Sequence, residues 1–435
     1  MSQLTTAIAQ LISKLETAPQ GCKRLEQQLE GRPKFHCIDW LEAQPHYPKF
    51  YWQSRDTREE VVALGKLHTF SEAAPAYAIL AENQRVWGGR SFDGHSDKNR
   101  RCMSAFFFLP HIELIRFDDS WRLAVNISMS ADKAIAALKQ LIVDVTELPP
   151  LATSIARLTH TPTEQQWHEL VGDVLSGIEN EQFKKVVLAR KTTVDVKEPI
   201  SPAQLLKASY RENHHSFHFM MALSKDLGFV GSTPERLYRR VGQQLETEAL
   251  AGTIGRGDNA AHDMELANWL TQDLKNINEN QYVVDDILQS LAPHSSEVHL
   301  EQELRLVRLR KVQHLKRNIV AQLHKGINAV QLLQALQPTA AVAGLPRNEA
   351  MAFIQQREPF ARGWYAGSVG YLSHERAEFC VAIRSALLMK EEVQLFAGAG
   401  IVPGSVAEHE WQELDKKMST LLSLISENPS LGVAS

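Results

Sequence analysis

Cross-linking chemistry is nearly missing from this 435-residue sequence. Its four cysteines, Cys22, Cys37, Cys102 and Cys380, lie far apart without CxxC or finger spacing, which argues against a disulfide framework and against structural zinc. Reduced thiols are the simple expectation. An excess of one charge is missing too: 47 basic residues face 51 acidic ones, so nothing suggests a nucleic acid or an anionic membrane as partner. No stretch approaches the ~18 consecutive apolar residues of a membrane span. The opening, MSQLTTAIAQLISKLE, has no basic segment ahead of an apolar core. A soluble, cytoplasmic protein is expected. Phosphate-loop and metal signatures are also lacking. No G-x-G-x-x-G links a strand to a helix, there is no Walker A sequence, and no HExxH occurs. His214, His215 and His218 crowd one stretch without ligand spacing.

What is present is ample core: 44% of the residues are apolar. Leu4, Ile8, Leu11, Ile12 and Leu15 predict an amphipathic helix over residues 3–17. From 34 to 127 short β-like runs dominate, KFYWQ, AYAIL, VWGGRSF, AFFFLP, IELIRF and WRLAVNI, and residues 132–147 read as helix. The Pro-containing ELPPLATS is the candidate boundary, giving an N-terminal part at 1–155 and a second region at 156–435.

The second region predicts a helix at 164–179, then strands KKVVLARKTTVDV, FHFMMAL, GFVGS, STPERLYRRV and QQLETEALAGTIGRG. In the first of these strands Lys185 points with Val187 and Ala189, and Lys184 to the other side. A single long helix is expected from about 262 to 290, with Leu266, Leu270, Leu274, Ile277, Val284 and Leu288 as its core stripe. His314, in VQHL, reads as a packed histidine on a helix. A helix at 348–356 follows, then strands GWYAGSVGYL, EFCVAIRSALLM and VQLFAGAGIV, and a closing helix from Val406 to Ile425.

Charged residues bordering buried faces are the candidates for chemistry. On the closing helix Glu410, Glu413 and Lys417 share one face beside the apolar stripe Leu414, Met418, Leu421 and Ile425. Glu279 has Lys275 one turn before it, as Glu413 has Lys417 one turn after. Two carboxylates without histidine or cysteine ligands suit a hard cation such as Mg²⁺, while two surface salt bridges are the plain alternative. Arg384, inside the apolar EFCVAIRSALL, needs an anionic partner, either a substrate carboxylate or an internal one. Lys185 and Glu235 could serve as a base and an acid.

Taken as an ordered set, KVVLAR (185–190), GSTPERL (231–237), ETEALAGT (246–253), LKNINEN (274–280), VQHL (312–315), LQPTAAVAGLP (336–346), RGWYAGSVGY (362–371), FCVAIRSA (379–386) and AGAGIVPGSVAEHEWQELDKK (397–417) resemble the chorismate-utilising enzyme family. The likeness runs from about residue 160 to the C-terminus. It implies that family's α+β fold, with large, mostly antiparallel sheets packed face to face and helices outside, completed by the N-terminal part. Within the family the motifs are most similar to members that convert chorismate to isochorismate for the menaquinone branch. Water-adding members carry lysine at the position of Lys185, where ammonia-using members carry glutamine. The lysine of PIKGT in aminodeoxychorismate synthase is Ala251 here.

The resemblance assigns roles. Water adds at C2, the ring double bonds shift and the C4 hydroxyl leaves. Lys185 is the general base, which requires a neutral fraction gained by desolvation or nearby positive charge, and Glu235 is the general acid, protonated through burial. Mg²⁺ is held by Glu279 and Glu413, with Glu410 as a possible outer participant. Arg384 and Lys417, with backbone near Gly398 and Gly400, bind the enolpyruvyl carboxylate, and Gly252 and Thr253 line the ring-carboxylate side. No obligatory glutaminase partner is expected. Asn280 stands where many members have histidine. The competing readings are a salicylate synthase acting through isochorismate, an ammonia-using anthranilate or aminodeoxychorismate synthase component, and a silent chorismate-binding protein.

Overall fold

The computed structural model describes residues 2–94, 105–128 and 130–426, so Cys102 lies outside the described residues. Cys22, Cys37 and Cys380 are free thiols. Twenty strands form one connected antiparallel network, with eleven helices among the described residues. One run of strands passes from Ile155–Thr161 through Lys185–Val196, Glu392–Ile401, Ser385–Met389, Leu227–Thr233, Phe217–Ser224 and Lys49–Gln53 to Glu59–Phe70. A second run passes from Val86–Arg90 through Ser368–Leu372, Arg376–Val381, Arg236–Val241 and Gln244–Gly255 to Val312–Leu323. The strand Ala105–Phe117 pairs with the end of each run and joins them.

The layers are closed by aromatic packing. Phe50 and Trp52 of the first run meet Trp87 of the second at centroid distances of 5.2 and 6.5 Å, and Trp52 meets Tyr371 edge-on at 6.4 Å. Phe50, Trp52 and Trp87 are fully buried, and burial of such large side chains is a main contribution to sheet-on-sheet packing. This is the α+β architecture of face-packed antiparallel sheets that the sequence implied. Strands of residues 1–155 are built into both runs, at Lys49–Gln53 against Phe217–Ser224 and at Val86–Arg90 against Ser368–Leu372.

Several elements differ from expectation. AYAIL belongs to the helix Ala73–Ile79, because Pro75 sits in its first turn, where a missing N–H costs nothing, and alanines supply the rest. The strand Glu59–Phe70 is not marked in the sequence: its residues 60–65 are buried on both faces, which erases the alternation that signals a strand. The helix expected to reach 147 ends at Lys139, and just beyond it the Gln44 side chain takes both the N–H and the carbonyl of Ile142. The long helix is two, Ala260–Leu270 and Leu274–Leu291. Asp273 starts the second by accepting from the N–H of Asn276 at 3.0 Å. Leu274, expected in the core, is 73% exposed. The buried face is instead Asn276, Asn280, Val283, Val284, Ile287 and Leu291. Asp286, outside the expected core stripe, is buried and accepts from the Ala340 N–H and from Arg347.

The closing helix, Ala407–Ile425, buries Leu414, Met418, Leu421 and Ile425 as the sequence predicts. Trp167 donates to the Ala407 carbonyl at 3.0 Å, and the buried Arg190 stacks over Trp411 at 4.1 Å while pairing with Asp415 at 2.5 Å. These contacts fix the helix against the strand Lys185–Val196.

Candidate active site

The elements named above converge on a cleft with two lobes. The inner lobe, about 60 Å³, is lined by Glu235, Thr253, Glu279, Arg384, Gly398 and Lys417 among others. The outer lobe, about 410 Å³, shares Thr253, Glu279 and Gly400 with it and adds Lys275, Glu410 and Glu413. Lys185 and Gly252 do not line either lobe. Lys185 lies just behind, fully buried, and Gly252 lies behind Thr253 against Asn276.

Lys185 begins its strand, and its Nζ sits 3.0 Å from Glu279 Oε1 as an ion pair without a well-aligned hydrogen bond. The desolvation expected for a base is therefore present, but its nearest charged partner is an acid. Burial works against ionisation of Glu279, and the Lys185 charge overcomes it, leaving that carboxyl below its usual range. Gly400, on the neighbouring strand, makes room for both. A Cβ there would run into Glu279 Oε1 and come within 2.7 Å of Lys185 Cε.

Glu235 sits in the turn between Leu227–Thr233 and Arg236–Val241, 4% exposed. Burial first, and then the charge of Glu248, push its carboxyl up to about 8, against the opposing pull of Lys185, Lys417 and Arg55. It is thus protonated at neutral pH, as a proton donor must be.

Arg384 is not inside a strand but at the break between Arg376–Val381 and Ser385–Met389, at φ 51. It is buried, and among the described residues no carboxylate pairs with it. The guanidinium donates to the Lys417 carbonyl at 3.3 Å and to Thr420 at 3.4 Å, and lies 3.3 Å from His314 Nε2. Burial holds it down at about 10. His314 lies on the strand Val312–Leu323, not on a helix as expected, opposite Thr253 in the register. Burial and the charges of Arg384 and Lys417 keep its ring neutral, and its Nδ1 is 2.9 Å from the Thr253 hydroxyl. The Thr253 N–H donates to Asn276 at 3.0 Å. Gly252, at φ +86, occupies backbone that favours glycine.

On the helix side, Lys417 Nζ is 2.5 Å from Glu413 and donates to the Gly398 carbonyl at 2.9 Å. Lys275 does not pair with Glu279. It crosses to Glu410 at 2.7 Å, so the expected pair within one helix becomes a clasp between two. Glu410 is pushed up by burial and then by the charge of Glu413. Asn280 donates to the carbonyls of Ala249 and Ala251 at 3.1 Å each and accepts from Arg317 at 3.0 Å. It staples the Glu279 helix to two strands. Tyr365, part of a motif noted in the sequence but given no role there, lines the inner lobe, and Gly398 gives its hydroxyl room. Periodicity could not find it, because it lies in a turn.

The cleft is thus lined by a neutral carboxyl, a guanidinium with no carboxylate partner among the described residues and a row of carboxylates, with a buried lysine just behind it. Proteins of known activity share this chain's sequence and shape. Residues 75–426 match the model of the family described as chorismate binding enzyme. The isochorismate synthase MenF of Escherichia coli is 38% identical over 438 residues, covering 98% of this chain and 99% of that protein. The salicylate biosynthesis isochorismate synthase of Pseudomonas aeruginosa is 35% identical over 356 residues, covering 79% of this chain and 74% of that protein. The solved structure of Escherichia coli MenF superposes with a TM-score of 0.90 over 98% of this chain and 100% of that one. With a family match over most of its length and near-complete alignment to such relatives, this chain belongs to the chorismate binding enzyme family.

Proposed function

We propose that this protein is an isochorismate synthase, an isomerase that adds water to C2 of chorismate while the C4 hydroxyl departs, and that its product feeds menaquinone synthesis in the cytoplasm. The observation that carries this reading is a fully buried lysine lying just behind a cleft that is itself lined by a carboxyl pushed up to about 8. Lys185 takes the proton from the attacking water, and Glu235 delivers one to the departing hydroxyl. Arg384, with no acidic partner among the described residues, and Lys417 bind the enolpyruvyl carboxylate with help from backbone at Gly398 and Gly400. Thr253, held by Asn276 and His314, meets the ring carboxylate beside Gly252.

The residues fit Mg²⁺. Glu279, Glu413 and Glu410 offer only oxygen donors, and Glu410 is pushed up first by burial and then by the charge of its neighbour Glu413, a repulsion that a cation between them would relieve. Among the described residues no three acidic, histidine or cysteine side chains are close enough to hold a metal unaided, so substrate oxygens and water would complete the site around Glu279 and Glu413. When bound, the ion would screen the substrate carboxylate and draw the Glu279 charge away from Lys185. Most of the rate then comes from positioning and acid–base work. No helix among the described residues is long and apolar enough to cross a membrane. A glutaminase partner is not required for a reaction whose nucleophile is water.

The test is product analysis from chorismate with and without Mg²⁺ and with ammonium added. Isochorismate that depends on Mg²⁺ is expected. Salicylate with pyruvate, or an aminated ring, as main product would replace this reading.

A further inference from the structure

The turn that carries Glu235 is held from outside by a side chain of the N-terminal region, where no family motif was found. Arg55, in the turn between Lys49–Gln53 and Glu59–Phe70, donates to the carbonyl of Pro234. The same guanidinium forms a two-pronged pair with Glu248, at 2.5 and 2.8 Å. Glu248 in turn accepts from the backbone N–H of Arg236 at 2.9 Å, and Lys316 completes its shell at 2.8 Å. The peptides on both sides of Glu235 are therefore tied to one buried ion pair. The Glu235 carbonyl is fixed separately by the Val381 N–H at 3.1 Å. Arg55 also lies over the Phe217 ring at 5.4 Å, which limits where it can swing.

We propose that Arg55 and Glu248 are positioning residues for Glu235. They hold the Pro234–Arg236 turn so that its carboxyl points into the cleft, and this makes the N-terminal region part of the catalytic apparatus. The inference rests on the reading of Glu235 as the proton donor. Substrate contact is not part of it, because neither residue lines the cleft.

Electrostatics follow the same geometry. Burial works against ionisation of Glu248, yet the hydrogen bonds and charge of Arg55, with the charge of Lys316, hold it down at about 2. It remains a fixed anion beside Glu235. The charged and titratable groups around Glu235 are Lys185 on its strand, Lys417 on the closing helix, Arg384 at the strand break, Tyr365 and Cys380, besides Arg55 and Glu248. Of these only Arg55 and Glu248 grip the backbone next to Glu235. Removing the cation Arg55 raises the Glu235 carboxyl further, and removing the anion Glu248 lowers it.

The experiment measures chorismate consumption, product identity and pH profiles for the whole protein and three variants. Arg55→Ala is expected to lower kcat by about 10–100-fold with KM for chorismate little changed, because a small displacement of a donor is costly. Its alkaline limb should move up, and that of Glu248→Gln should move down. Arg55→Lys, which can pair with Glu248 but not hold the Pro234 carbonyl at the same time, should fall between wild type and Ala in kcat and keep the wild-type limb. Millimolar guanidinium should restore part of the Arg55→Ala rate. Near-wild-type kcat in Arg55→Ala, or lower rates with neither limb displaced, would overturn the proposal. Carbon-13 titration of the Glu235 carboxyl, assigned with Glu235→Gln, reads the same opposite shifts without turnover. A wild type that makes another product therefore refutes the proposed function, while the carbon-13 shifts still decide the role of Arg55 on their own.

Discussion

On the strand wall of the cleft, Glu235 is buried beside a second carboxylate and is pushed up to about 8. On the helix wall Glu279, Glu410 and Glu413 each face a lysine, at 3.0, 2.7 and 2.5 Å. The same residue type is thus kept protonated on one side and mostly ion-paired on the other. The difference teaches where each job belongs: a proton donor needs a dry turn where burial outweighs the nearby cations, while metal and substrate carboxylates need charges that can change partners. On the proposed reading, the ion pairs on the helix wall hold the cleft's charges in place and would exchange partners when substrate and cation bind. The Glu235 turn, by contrast, is fixed by Arg55 and Glu248 before anything binds.

The largest blow to this comparison comes from Lys185→Ala or Lys185→Gln. Loss of the base should cut isochorismate formation by at least about 10³-fold with chorismate binding retained, as read by turnover and equilibrium titration. Near-normal turnover would take the base role from Lys185. Next is Glu235→Gln, expected to lower kcat by about 10²–10⁴-fold and to abolish the wild-type alkaline limb near pH 8. The sign is fixed: the active form is protonated, so wild-type activity falls as pH rises through about 8. The folded state holds a proton on Glu235 that the unfolded chain has already released, so this group's contribution to stability declines with rising pH between the ordinary carboxylate value and about 8. Glu235→Gln should therefore melt no lower than wild type at alkaline pH.

On the other wall, Glu279→Ala and Glu413→Ala should raise the Mg²⁺ concentration needed for half-maximal rate about 10-fold or more, while Lys275→Ala should raise it less. An unchanged metal requirement would return both acids to the status of plain ion pairs. The smallest effect is on the scaffold. Asn280→Ala removes the side-chain donor to the carbonyls of Ala249 and Ala251 and one of two partners of Arg317, which keeps Gln281, and should lower unfolding free energy by about 1–3 kcal/mol, measured by denaturant titration, with a minor change in kcat.

Much of the fold was legible because its elements carry their own periodicity. The closing helix appears where pattern places it, since one face is buried, and the strand from Lys185 is found although its first six residues are buried on both faces, because it alternates beyond them. Elements buried on both faces, such as Glu59–Phe70, show no alternation, and a break made by one residue, such as Asp273, is invisible to a stripe count. The site is a different case. Arg384 stood out as a charge within an apolar run, while Lys185 and Glu235 were only charged residues at strand ends until the motif set tied all three together. What sequence could not supply is partnership across the fold: Lys275 reaching Glu410 instead of Glu279, Arg384 sitting at a strand break with His314 beside it, and Arg55 gripping Pro234 from a region far away in the chain. Such contacts depend on how elements far apart in the chain are brought together, which no local pattern encodes.

The most direct measurement is turnover of chorismate in water enriched in heavy oxygen, with Mg²⁺, followed by mass analysis of the isochorismate. Water addition at C2 by Lys185 and loss of the C4 hydroxyl through Glu235 predict one solvent oxygen in every product molecule formed. Isochorismate carrying only its original oxygen, or a product without that hydroxyl, would contradict the account.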